Sequence, residues 1–231
     1  MNNLPKSVPP PILYKYYPPE RVDVIEAMEV HFSSPHKFND AFDTYHLVPH
    51  SSDAKIKLGR AKLRTEMGIF CLTERPDNHM MWVNYARNHT GFVIGFDSGS
   101  SFFKDDGREL RKVIYQKKPP VFNQADENGC FYKSPDWRHE EEWRCIRRFK
   151  KDESRNASIE ASMVKCIIFG HQIDQWKIAN IVQYVTLQCN ADSVAPPKFL
   201  FSKPAHVEWR FVNEERNLAL CAHCGGYGYT T

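Results

Sequence analysis

No stretch of the chain approaches the roughly 18 uncharged apolar residues that a membrane-spanning helix requires. The longest apolar run, Ile178 to Leu187, is interrupted by Asn180, Gln183 and Thr186. The N-terminus carries no basic flank followed by an apolar run, so no signal peptide is read there. A Walker loop, a dinucleotide glycine fingerprint, a His-Glu-x-x-His helix and a Gly-x-Ser-x-Gly elbow are all missing, which removes several common enzyme classes. An even, regularly spaced cysteine framework is missing too. Seven cysteines without such spacing fit reduced thiols in a cytoplasm rather than disulfides. Strong charge of one sign is also lacking: the formal net charge is +3 and the pI about 8.4, so the balance neither demands nor forbids a nucleic-acid partner.

What is present suffices for an ordinary core. The 231 residues are 42% hydrophobic and 26% charged, which fits a folded domain and not a disordered chain. Residues 1–11 carry Pro5, Pro9, Pro10 and Pro11 and read as an extended leader. Residues 12–220 read as one domain, and the Gly-rich residues 221–231 as a loose tail.

Strand composition marks Ile12–Tyr16, Val30–Ser33, Ile69–Thr73, Phe92–Phe96, Val113–Tyr115, Glu142–Phe149, Val164–Phe169, Phe199–Ser202 and Val207–Val212. Pro18 and Pro19 open a short helix with Val24, Ile25 and Met28 on one face. Ser52 and Asp53 cap a helix through Met67 that Gly68 ends. Asn78 begins a third helix carrying Met81, Trp82 and Tyr85. The pattern of Ile173, Trp176, Ile181, Val182 and Val185 predicts a fourth helix through Cys189. Strands and helices do not alternate strictly, so the expected fold is α+β, with a mixed or antiparallel central sheet flanked by helices.

The densest polar stretch is Trp137-Arg138-His139-Glu140-Glu141-Glu142-Trp143-Arg144. On a strand, residues two apart share a face, which would group Glu140, Glu142 and Arg144. Arg144 favours ionisation of both acids, while their mutual repulsion raises one of them. The structural alternative is a charged strand edge in solvent. Phe38-Asn39-Asp40-Ala41-Phe42-Asp43 is a second stretch. Asn39 and Asp40 suit local turn hydrogen bonds, whereas Asp43, bracketed by aromatics, is less readily explained that way. Trp82 at helical spacing reads as core, and Tyr85 needs a hydrogen-bond partner if buried. Cys221, His223 and Cys224 make half of a zinc site by spacing, with incidental thiols as the preferred reading and no metal expected.

Several of these segments occur in an order that resembles a known bacterial and phage family. They are Leu13-Tyr14-Lys15-Tyr16, Phe32-Ser33-Ser34-Pro35, Phe38-Asn39-Asp40-Ala41-Phe42-Asp43, Cys71-Leu72-Thr73, Met81-Trp82 with Tyr85-Ala86, and Gly91 to Asp97. Trp137, Glu140, Glu142, Arg144 and Ile167 to Gly170 complete the set. The family is the domain of unknown function numbered twenty-nine seventy-one, over roughly residues 12 to 170; Ala41 stands where its pattern commonly has proline. A second similarity, to ADP-ribosyltransferases, lies in an early aromatic strand, a Ser-bearing strand and a late strand entered through Glu-x-Glu. It implies NAD as substrate, with Tyr14 or Tyr16 in the first role, Ser33 or Thr73 in the second and Glu142 in the third.

The residue chemistry of that reading stands on its own terms. Breaking the nicotinamide–ribose bond develops an oxocarbenium-like cation, which a carboxylate such as Glu142 stabilises. Glu140 and Arg144 complete the catalytic candidates. Tyr14, Lys15, Tyr16, Ser33, Thr73 and Tyr85 are the cofactor-binding candidates, by ring stacking or by contact with the diphosphate. The expected activity is NAD consumption, by ADP-ribosyl transfer to a protein or nucleic acid or by hydrolysis, with a nucleotide as partner and no membrane. Two other readings compete: a non-catalytic sensing or interaction domain in phage defence, and a metal-dependent nuclease using Asp40, Asp43, Glu140 and Glu142.

Overall fold

The computed structural model describes residues 7–47, 52–122, 125–216, 218–220 and 227–229. The chain order begins with β1 (Ile12–Tyr17), α1 (Asp23–Glu26), β2 (Glu29–His31), α2 (Ala54–Glu66), β3 (Met67–Thr73) and α3 (His79–Tyr85). It continues with β4 (Phe92–Asp97), β5 (Glu109–Lys112), β6 (Ile114–Tyr115), β7 (Tyr132–Lys133), β8 (Glu142–Arg148) and β9 (Asn156–Ser158). Then come β10 (Val164–Phe169), α4 (Gln175–Ala191), β11 (Lys198–Pro204), β12 (Phe211–Glu215), β13 (Leu218–Leu220) and β14 (Tyr227–Tyr229). The fold is α+β, as the element pattern implied. No helix among the described residues is long and apolar enough to cross a membrane.

The residues cluster into two compact units. The first includes Val30–Leu72 and Gly99–Ala157. Its strands β3, β8 and β5 are consecutive neighbours, with β8 in the middle and antiparallel to β5 through Arg111↔Arg144 and Lys112↔Trp143. A central strand is covered on both faces, and Glu142 through Ile146 are all buried. The unit's apolar core joins Leu47, Leu63, Met67, Ile69, Cys130, Phe131 and Ile146. Asp53 caps α2 as expected, accepting from the backbone N–H of Lys55 and Ile56.

The second unit includes Pro11–Glu29, Thr73–Ser98 and the chain from Ser158 onward. Its sheet runs β12-β11-β10-β4-β1, antiparallel at every step except the parallel pair β10/β11. Thr73, the last residue of β3, pairs with Tyr14. Tyr16, Met81, Trp82, Ala86, Val93, Cys166, Ile168 and Phe211 pack together. Asn78 caps α3, accepting from the N–H groups of Met80 and Met81, and Trp82 is core.

Four local expectations are corrected. Gly68 does not end α2; the chain passes from helix to strand at Met67, and Gly68 lies inside β3. A methyl group there would come within 2.3 Å of the Phe149 ring, so close packing is the reason for glycine at this position. Trp176 is exposed and Ile178 takes the buried position on α4. Val207 and Trp209 are exposed residues ahead of β12, which begins only at Phe211. The strand expected through Ser33 ends at His31, and Ser33 keeps one backbone bridge to Ile69.

Candidate functional site

Five charged side chains converge inside the first unit: Asp43, Lys133, Glu140, Glu142 and Arg144. Glu140 does not lie on the strand that was expected to carry it. It ends a 3-10 turn, Pro135–Glu140, whose first turn is capped by Ser134 accepting from the Asp136 N–H. Glu141 then adopts a left-handed conformation, φ 43° and ψ 51°, before β8 begins at Glu142. That reversal lets both flanking carboxylates meet one ammonium: Lys133 Nζ pairs with Glu140 and lies 3.1 Å from Glu142 Oε2.

Arg144 completes the enclosure. Its Nε donates to Glu142 Oε1 at 2.8 Å and its Nη2 to Glu142 Oε2 at 3.0 Å. Its Nη1 and Nη2 also reach Asp43, and Nη1 donates to the Cys130 carbonyl at 2.6 Å. The Phe38 ring lies 5.4 Å from the guanidinium, and the Trp137 ring 4.8 Å from the Lys133 ammonium. Tyr115 lends its hydroxyl oxygen to the Glu142 N–H at 2.9 Å. Arg144 is 0% exposed, Glu140 3%, Glu142 4% and Asp43 7%. A solvated charged edge is thereby excluded.

Asp43 is presented by a turn in which Asp40 accepts from the Phe42 N–H at 2.9 Å, the local role expected of Asp40. Burial opposes the charge of Glu142, but Arg144, Lys133 and their hydrogen bonds outweigh it and hold the carboxyl below its usual range. Burial also opposes the charge of Lys133, and the carboxylates of Glu142 and Glu140 hold its proton on above the usual range. Burial raises the Tyr115 phenol, with the Glu142 charge adding to the effect. Glu142 is therefore held as a carboxylate, and Lys133 and Arg144 as cations.

The cofactor-binding candidates fall in both units. Ser33 belongs to the first; Tyr14, Lys15, Tyr16, Thr73 and Tyr85 belong to the second. Tyr16 is core, meets Trp82 edge-on at 5.1 Å and donates its hydroxyl to the Arg75 carbonyl at 2.8 Å. Thr73 Oγ1 accepts from the Arg75 N–H at 3.0 Å. Tyr14 and Tyr85 are half-buried against the second unit's core, and Lys15 lies 5.8 Å over the Tyr17 ring. Cys221, His223 and Cys224 lie outside the described residues.

Sequence reasoning missed Lys133 and Cys71. Lys133 closed a polar loop with nothing in its own neighbourhood to mark it. Cys71 hydrogen-bonds Glu142 from β3, the strand beside β8. Asp43 had one signal, an acid set between aromatics in a turn. Among the described residues, no group of three or more His, Cys, Asp and Glu side chains is arranged to hold a metal ion. Of the four acids proposed for a divalent cation, Asp43, Glu140 and Glu142 meet Lys133 or Arg144, whereas Asp40 accepts from the Phe42 N–H.

Residues 81–145 match the model of a family described as "Protein of unknown function (DUF2971)". That span holds Lys133, Glu140, Glu142 and Arg144 and leaves Asp43 outside. No curated protein and no solved structure matches the chain.

Proposed function

We propose that the protein, whose residues 81–145 match that family model, is an NAD-consuming enzyme in which Glu142 stabilises the oxocarbenium-like transition state. The observation that carries this reading is the charge of the buried cluster. Counted by formal charge, Asp43, Glu140 and Glu142 exceed Lys133 and Arg144 by one negative charge. A negative excess in a low-dielectric setting favours a cation. Both the nicotinamide ring of NAD and the ribosyl centre formed as it departs are cationic. Glu142, kept ionised by Arg144 and Lys133, is a fixed charge that needs no rearrangement when the cation develops.

In this proposal the bond between ribose C1′ and the nicotinamide nitrogen breaks, and its electron pair leaves with nicotinamide. Water or an acceptor on a protein or nucleic acid then supplies the new bond to C1′ and loses a proton. Arg144 and Glu140 position Glu142 and Lys133. Ser33, in the same unit as the charged cluster, is the proposed nucleotide contact. The similarity to ADP-ribosyltransferases in segment order supports the same chemistry. Incubation with NAD and chromatographic detection of free nicotinamide tests it. No release, together with no thermal stabilisation by NAD, would sink the enzyme reading.

One observation favours a second reading, a non-catalytic sensing or interaction domain acting in phage defence. Both oxygens of Glu142 and of Asp43 already accept charged hydrogen bonds from Arg144 or Lys133. Such a cluster serves as a lock on the fold. Under this reading Glu142→Gln unfolds the protein and NAD leaves its melting temperature unchanged.

A further inference from the structure

Three histidines converge in the second unit, away from any role assigned above. His79 opens α3, His171 follows β10, and His89 lies in the turn between α3 and β4. His89 Nε2 stands 3.3 Å from His79 Nδ1, and the His89 ring centre lies 4.7 Å from that of His171. The same ring stacks on Phe211 at 4.4 Å and on Trp82 at 5.5 Å. Phe211 also stacks on His79 and meets His171 at 5.6 Å. Phe211 is the first residue of β12, the edge strand of the unit's sheet.

The backbone forces His89 into this position. Arg87, Asn88 and His89 are successive non-glycine residues with φ of 44°, 51° and 67°. Three such residues in a row persist only where surroundings impose them. The surroundings here are tight. The His89 carbonyl accepts from the Gln172 N–H at 3.1 Å, and a methyl group on Gly170 would fall 2.1 Å from that oxygen. His89 is 5% exposed, and its Nδ1 has no hydrogen-bond partner. His79 and His171 are exposed to solvent.

We propose that His79, His89 and His171 form a proton-operated latch that holds Phe211, and with it β12, against the second unit only while His89 and His171 are neutral. A proton on His89 or His171 places charge among these packed rings. The charged groups acting on His89 are His171 and His79 themselves; Trp82 of α3 and Phe211 of β12 carry no charge, and Arg87 is engaged by Glu20. Burial first, then His171 and His79, pulls the His89 imidazole down to about 4, and burial followed by His79 lowers His171. Folded-state values below the ordinary value of about 6.5 mean that the unfolded or opened form binds more protons. The closure is thus fully present above that value and is lost as pH falls toward the folded value. Opening frees β12 from β11, to which it is paired over Phe211–Glu215.

Hydrogen exchange on the whole chain tests the latch, with rates corrected for intrinsic pH dependence. Between about pH 7 and about pH 4.5, protection over 211–215 is expected to fall by roughly tenfold or more, while 92–97 and 164–169 hold theirs. In the double variant His79→Gln/His171→Gln, both changes at exposed positions, the fall should begin at a lower pH. Protection at 211–215 that is flat with pH overturns the latch. So does an unshifted fall in the double variant, or a fall shared equally by all three segments.

Discussion

Arg144 and Asp43, 101 residues apart, form a bidentate pair, Nη1 to Oδ1 at 2.8 Å and Nη2 to Oδ2 at 2.5 Å, both side chains withdrawn from water. The pair ties the turn at residues 40–43 to the middle of β8. Removing one member of a buried pair leaves the other charge without compensation, which costs far more than the pair contributes. Asp43→Asn is therefore expected to lose roughly 3–5 kcal/mol of unfolding free energy. Urea denaturation followed by circular dichroism measures it; a loss below about 1 kcal/mol would mean that Arg144 finds another partner.

Replacing both members is expected to be milder than replacing one. Asp43→Leu combined with Arg144→Met removes the orphaned charge along with its partner. The double variant should recover at least half of the stability lost by Asp43→Leu alone. A double-mutant cycle reads this directly, and simple additivity would count against tight coupling.

Glu142→Gln separates chemistry from support. If Glu142 stabilises the developing cation, turnover of NAD falls roughly a hundredfold or more while nucleotide binding changes little. Stability falls as well, because the wild-type carboxyl is held below its unfolded value. That contribution is present above about pH 4.3 and is lost as pH drops toward the folded value. The stability gap between wild type and variant should therefore close in acid. A gap independent of pH would mean that packing, not charge, is the residue's contribution.

Gly68→Ala tests the packing of β3. The new methyl group would meet Phe149 at 2.3 Å and the Phe32 side chain at 2.8 Å, neither of which can retreat from a filled core. The expected cost is roughly 1–3 kcal/mol. An unchanged melting temperature would show that the Phe149 ring turns aside freely.

Trp82→Ala should cost roughly 3–5 kcal/mol, since Trp82 is fully buried among Tyr16, Val93 and Phe211. Trp143, 1% exposed on β8, should behave alike. Thermal melts of the two variants check both, and loss of NAD binding at an unaltered melting temperature would reassign the residue concerned.

The fold was largely legible because its signals are local. Caps and apolar runs placed β1, α3, β4, β10 and α4 close to where they lie, whereas α1 begins at Asp23 and not at Pro18 and Pro19. The site was legible only in part. Glu140, Glu142 and Arg144 stand close in sequence, so strand periodicity grouped them, although the left-handed Glu141 is what brings Glu140 round. Lys133 and Asp43 reach the cluster through a turn and through a contact across 101 residues, and a linear pattern carries neither. Gly68 was misplaced because a glycine after a helix resembles a cap, whereas only tertiary packing reveals the ring beside it. Trp176 was misplaced because apolar spacing marks a helix without marking which large side chain stays in solvent.

The left-handed residue at Glu141 bears on where this chain can be cut. The family-matched span 81–145 ends one residue after Arg144 and excludes the whole turn that carries Asp43. A fragment trimmed to that span would bury a guanidinium without its bidentate partner and sever β8 partway along its length. It would also keep the costly kink at Glu141 while discarding part of what the kink serves. Excised on its own, the span is an unsound unit for expression, and minimal versions of this protein should retain residues 38–44 along with all of β8.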